Sequence, residues 1–122
     1  MTLGCSEKIN GKPTEFPRKI LEKIKIHTFR WNFGKRWKPG RDIHFVTGNR
    51  TPRRNQFYFD TCKSIQHAVI DNRQLWIDGK LVDDTTAETV ARNDGFDTAD
   101  EFFDYFSKGF AGKIIHWTDL KY

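Results

Sequence analysis

The sequence predicts an α+β domain, a mainly antiparallel sheet or small barrel with helices packed at its ends, on three observations. The chain is 122 residues long, the length of one domain, and enough to bury a core without staples. Aromatic residues make up 15% of it, with eleven Phe and four Trp, and rings bury large areas. That argues against disorder, although 30% of residues are charged. Segments of strand period also outnumber segments of helical period, and short turns join most of them.

Glu7–Pro13 reads as a turn, punctuated by Asn10-Gly11 and Pro13. Thr14 is positioned to cap a helix running to about Lys23, with Pro17 in its first turn and Phe16, Ile20, Leu21 and Ile24 on one stripe. From Ile24 to Arg30 the period changes to that of a strand. Trp31–Arg41, rich in Gly, Trp and basic residues, is a loop closed by Pro39-Gly40. Asp42–Thr47 is a second strand, and Gly48–Arg54 a second basic loop. Gln56–Ser64 and Ile65–Ile70 are the next two strands. Leu75–Val82 is a hairpin turning at Asp78-Gly79, since a tight hairpin turn needs positive φ at both central residues. Thr85–Glu88 has the spacing of a capping box for a helix to about Asn93, with Gly95 as its stop. Thr98–Glu101 repeats that spacing before the stripe Phe102, Phe103 and Phe106. Gly109–Gly112 then breaks the helix, and Lys113–Trp117 forms the last strand. The whole chain, 1–122, is expected to be one domain.

Charge is divided unevenly. Met1–Arg54 holds 14 Lys and Arg against 4 Asp and Glu, whereas Asn55–Tyr122 holds 7 against 12. A basic face of this kind attracts phosphates in a salt-sensitive way. No stretch approaches the roughly 20 apolar residues of a membrane span, and no signal-peptide core opens the chain, so a cytoplasmic protein without a membrane partner is expected. Cys5 and Cys62 form no C-x-x-C pair and are expected to be free thiols. His27, His44, His67 and His116 lack zinc-ligand spacing, so neither a metal nor another cofactor is expected. His27 and His44 fall on neighbouring predicted strands and are candidates to line a cleft. Phosphate-binding, dinucleotide-binding, zinc-protease and serine-hydrolase motifs are missing from the sequence.

Three segments together resemble the ASCH family. The first, Ile20–Arg30, is a helix running into a strand that carries Lys25-x-x-Thr28-x-Arg30. The second is Trp37–Ile43, a Gly-containing turn before a strand. The third is Ala91–Phe96, followed by Glu101-Phe102-Phe103 and a closing strand. The resemblance spans Pro17 to Trp117, and both ends of the chain look like those of a bacterial or phage subgroup of uncharacterised ASCH proteins. It implies a PUA-like, mostly antiparallel β-barrel with flanking helices and a cleft between the two. It also implies RNA or a modified nucleoside as ligand.

One branch of the family resembles a small amidohydrolase that removes the acetyl group of N4-acetylcytidine. Its Lys and Thr match Lys25 and Thr28, and Asp94 stands where its Glu does. A Thr hydroxyl needs a base to take its proton, and a neutral Lys amine could do so. Residues three apart on a regular strand face opposite ways. Lys25 and Thr28 therefore converge only if Lys25 sits in the turn before the strand or a bulge intervenes.

The residues around this triad suggest nucleic-acid contacts. Arg30 could grip a phosphate or a base edge in bidentate fashion. Trp31, Phe33, Lys35, Arg36, Trp37 and Lys38 interleave rings for stacking with cations for the backbone. Trp37 is expected to be packed and Trp31 partly exposed, and Arg50, Arg53 and Arg54 could extend the patch. Three functions follow: first, an RNA- or nucleoside-binding module with a cleft formed by Lys25, His27, Thr28, Arg30 and Asp94; second, a deacylase using Lys25, Thr28 and Asp94; third, a non-catalytic protein-interaction module.

Overall fold

Chain order in the computed structural model, which describes residues 2–9, 11–31 and 37–122, runs through ten strands and three helices. They are β1 (Thr2–Gly4), β2 (Lys8–Ile9), β3 (Lys12–Pro13), α1 (Phe16–Leu21), β4 (His27–Trp31), β5 (Asp42–Thr47), β6 (Asn55–Thr61), β7 (Ser64–Asp71), β8 (Gln74–Ile77), β9 (Lys80–Leu81), α2 (Asp84–Asn93), α3 (Ala99–Tyr105) and β10 (Phe110–His116). The α+β class holds. One sheet has the order β1-β5-β6, a second β4-β10-β7-β8-β9, and β2 and β3 form a small hairpin. Among the described residues the sheets are not closed on each other by strand pairing. All pairings among the described residues are antiparallel except β1 with β5.

Strand period places the core. Ile114 of β10 packs into a cluster with Phe29, Ile70, Leu75, Val90, Phe102 and Phe110, against α2 and α3. Its neighbour Ile115 points the other way, into a cluster with Leu3, Ile20, Trp37, Ile43, Phe45 and Trp117. Successive side chains of a strand leave opposite faces, so β10 carries a core on each.

Several boundaries differ from the sequence reading. β1 was not foreseen, because three residues are too few to show a period. α1 is six residues rather than ten, and its stripe loses Leu21 and Ile24, both exposed. Thr14 does not occupy the N-cap, which is Glu15 in a left-handed conformation; its hydroxyl accepts from the Phe16 N–H at 3.1 Å. α2 is capped by Asp83, which accepts from the Thr86 N–H at 2.7 Å, and not by Thr85. α3 begins as expected, with Thr98 accepting from the Glu101 N–H. Gly112, read as a breaker, lies inside β10: a Cβ there would fall on the Arg30 carbonyl oxygen and 2.9 Å from Trp31 Cα. It is glycine because β4 runs so close.

Candidate functional site

The end of α1 delivers Lys25 to the site. The Lys19 carbonyl accepts from both the Ile24 and Lys25 N–H groups, at 2.8 and 3.0 Å, folding the chain sharply back. The Ile26 N–H then bonds the Asn93 carbonyl at 2.8 Å, tying this turn to the end of α2. Lys25 therefore precedes β4 instead of lying on it, which is the geometry that convergence with Thr28 requires.

Asp94 arrives from the other side as the C-cap of α2. Gly95 follows with φ 97°, and a Cβ there would come within 2.9 Å of the Phe16 ring and 3.2 Å of Lys25 Cδ. The helix stop is thus also a wall of the site. Lys25 Nζ donates to the Asp94 carbonyl at 2.6 Å and to Asp94 Oδ1 at 3.1 Å, and it lies 4.6 Å from the centre of the Phe16 ring. Asp94 reaches Lys25 despite being one methylene shorter than Glu. Both residues are only 3% exposed.

Lys25, Thr28, Arg30 and Asp94 line one small cavity of about 50 Å³, together with Leu3–Ser6, Phe16 and rings from the α3 side. Thr28 and Arg30 are two apart on β4 and share a face. No hydrogen bond joins the Thr28 hydroxyl to Lys25 among the described residues. Arg30 donates to the Gly4 carbonyl at 2.6 Å. Cys5, which the sequence reading left without a role, is also here, and burial raises its thiol pKa against the opposing pull of Lys25 and Arg30. Burial pushes the Lys25 pKa down from the ordinary lysine value, and Asp94 pulls it back up. Loss of water favours the neutral amine, which is the form able to accept a proton.

Beyond a thin wall of Phe16, Phe96 and Tyr105 lies an open groove of about 340 Å³. Its floor and rim also hold Lys12, Lys19, Asp97 and Glu101, paired with each other as Lys12–Glu101 and Lys19–Asp97.

The other candidates separate. His27 is fully buried and is not part of the cavity lining. It belongs to the opposite face of β4 and bonds Asp94 Oδ1 at 3.2 Å and the Tyr122 hydroxyl at 2.5 Å. His27 therefore supports the site from behind, outside the cavity. His44 lies in the other sheet, bonded to Gln56, so the two histidines are not on neighbouring strands. Trp31 is 51% exposed and lies tilted against the Phe110 ring, away from the cavity, while Trp37 is packed in the core.

Arg50, Arg53 and Arg54 are exposed on the loop after β5. That loop sits beside Gly4, where a Cβ would lie 3.5 Å from Asn49 Cβ. Lys38 is exposed before the opposite end of β5. Phe33, Lys35 and Arg36 lie outside the described residues. Both cysteines are free thiols. Among the described residues no group of three or more His, Cys, Asp or Glu could hold a metal ion, and no helix is long and apolar enough to cross a membrane.

The site also contains residues that sequence reasoning missed. Tyr122, Asn93 and Gln66 form a polar network behind Asp94, linked to His116. No local motif announces it, because its partners are far apart in sequence. No protein-family model, curated protein or solved structure matches the chain.

Proposed function

We propose that this chain is an ASCH-type domain of the PUA-like superfold that deacylates an N-acylated nucleoside, using Lys25, Thr28 and Asp94. The observation that carries this reading is the buried Lys25–Asp94 pair opening, with Thr28 and Arg30, onto one cavity. A cavity of about 50 Å³ suits a small acyl group. A whole nucleoside needs a pocket nearer the usual ligand size of roughly 300 Å³ or more, so its base and sugar would lie at the mouth. Two separate sheets packed through the core that holds Ile115, with α2 and α3 against the other face of the larger sheet, support the PUA-like assignment.

In this reading neutral Lys25 takes the Thr28 hydroxyl proton as Thr28 Oγ1 attacks the acyl carbon. The C–N bond breaks, the amine leaves with that proton, and water later hydrolyses the acyl-threonine. Arg30 lends positive charge beside the developing oxyanion.

A second reading is favoured by the Arg50–Arg54 loop beside Gly4 and by the missing Thr28–Lys25 hydrogen bond. In it the same cleft holds a nucleotide of an RNA chain without chemistry, and the loop holds its backbone. Assay of purified protein on N4-acetylcytidine, with Thr28→Ala and Lys25→Gln variants checked for folding, separates the two. Turnover in the wild type that falls by about 100-fold or more in both variants supports deacylation. Turnover that survives Thr28→Ala excludes Thr28 as nucleophile. An inert wild type that binds RNA with steep salt dependence supports the second reading.

A further inference from the structure

Asp94 serves two nitrogen donors with one oxygen. Oδ1 meets Lys25 Nζ at 3.1 Å and His27 Nδ1 at 3.2 Å. The roles beyond it are dictated by elimination. An ionised carboxylate only accepts, so His27 Nδ1 carries the proton. His27 Nε2 is then a bare lone pair, and the Tyr122 hydroxyl donates to it across 2.5 Å. That hydroxyl in turn accepts from Asn93 Nδ2 at 2.9 Å. Tyr122 is fastened by its backbone as well: its N–H donates to Gln66 Oε1 at 2.9 Å, and its carbonyl accepts from Gln66 Nε2 at 2.7 Å.

We propose that His27, held in one tautomer between Asp94 and Tyr122, is a positioning residue that loosens the hold of Asp94 on the Lys25 proton and so lets Lys25 act as a base. The inference rests on the reading of Lys25 as the base of this site. Its physical ground is competition for one acceptor. A carboxylate oxygen that already receives an N–H offers less charge to an ammonium group beside it. Without His27, Asp94 and Lys25 would settle as a closed ion pair, and the amine would stay protonated.

The surrounding groups agree. The charged and titratable groups that act on Lys25 are Asp94, Cys5 and Arg30, of which Arg30 also disfavours the ammonium. Those that face His27 are Asp94, Lys25, Tyr122 and His116, whose ring centre is 5.3 Å away. Burial lowers the His27 pKa, keeping the ring neutral, and raises that of Tyr122 to about 12, keeping its hydroxyl a donor.

Nitrogen-15 and carbon-13 NMR of the full chain tests this directly, with the His27 ring and the Lys25 side chain as reporters. The native protein at pH 7 should show neutral His27 with its proton on Nδ1. His27→Phe keeps a ring but removes the donor, and the Lys25 midpoint should rise by about 1 pH unit or more. His27→Asn, whose amide nitrogen occupies the place of Nδ1, should hold that midpoint near the native value.

A proton on Nε2 alone, or an imidazolium, in the native protein would overturn the proposal without any variant. So would an unchanged Lys25 midpoint in folded His27→Phe. These readouts need no substrate. An inert wild type with the expected midpoints would refute the deacylase while leaving the effect of His27 on the Lys25 proton in force. Turnover with unmoved midpoints would do the reverse.

Discussion

His116 is held neutral by its surroundings. Its Nε2 donates to Gln66 Oε1 at 2.9 Å, while its Nδ1 is buried without a hydrogen-bond partner among the described residues. Burial first, then His27 and Lys121, lower its pKa from 6.5 to about 4. The unfolded chain therefore takes up a proton that the fold refuses. Stability should be full above about pH 6.5 and should fall as pH drops from there through about 4. Buried His27 adds to the same slope. Thermal melts between pH 7 and pH 4 should show this loss, and His116→Phe should flatten it. In that variant Gln66 Oε1 still accepts from the Tyr122 N–H. At this scale the sequence was only partly legible. Lys25, Thr28, Arg30 and Asp94 were visible through a resemblance, and the turn that brings Lys25 to Thr28 was visible as a geometric condition. The role of His27 was not, because its partner Tyr122 lies 95 residues away and no spacing rule spans that distance.

At the scale of elements, α2 is capped by Asp83 and not by the Thr85 expected from sequence, and the substitution Asp83→Ala tests this. Its carboxylate receives the Thr86 N–H, so its loss should cost about 1 kcal/mol. Thr85→Ala, at the cap expected from sequence, should stay within about 0.5 kcal/mol of the wild type in the same denaturant titration. Glu88, expected to complete a capping box, instead pairs with Arg92 and accepts from the Ala99 N–H at 2.9 Å, joining α2 to α3. Gly112→Ala should destabilise by about 2 kcal/mol or more, because its new methyl meets backbone of β4 that has no room to yield. Helix ends governed by adjacent residues, such as Thr98, were legible. Features set by a distant strand were not: β1 exists because β5 offers it an edge, and Gly112 looks like punctuation until β4 is beside it.

Across the whole molecule the uneven charge of the sequence acquires a direction. The exposed acids Asp83, Asp84, Asp97, Asp100 and Asp104 belong to α2, α3 and the segments that enter them. The arginine loop belongs to the other sheet, across β10 from them. Replacing Arg50, Arg53 and Arg54 together by Gln should weaken binding to a single-stranded polyanion. If each meets one phosphate, the logarithmic salt slope should flatten by roughly 2, which titrations at several salt concentrations would read. The placement of β10 between two cores also bears on how the protein comes apart. Neither cluster can melt while the other keeps its half of that strand, so a separate unfolding of one sheet is forbidden. A single heat-absorption peak is expected. The amides of Ile114 and Ile115 should exchange with deuterium only through complete unfolding, and so should be the slowest clock in the molecule.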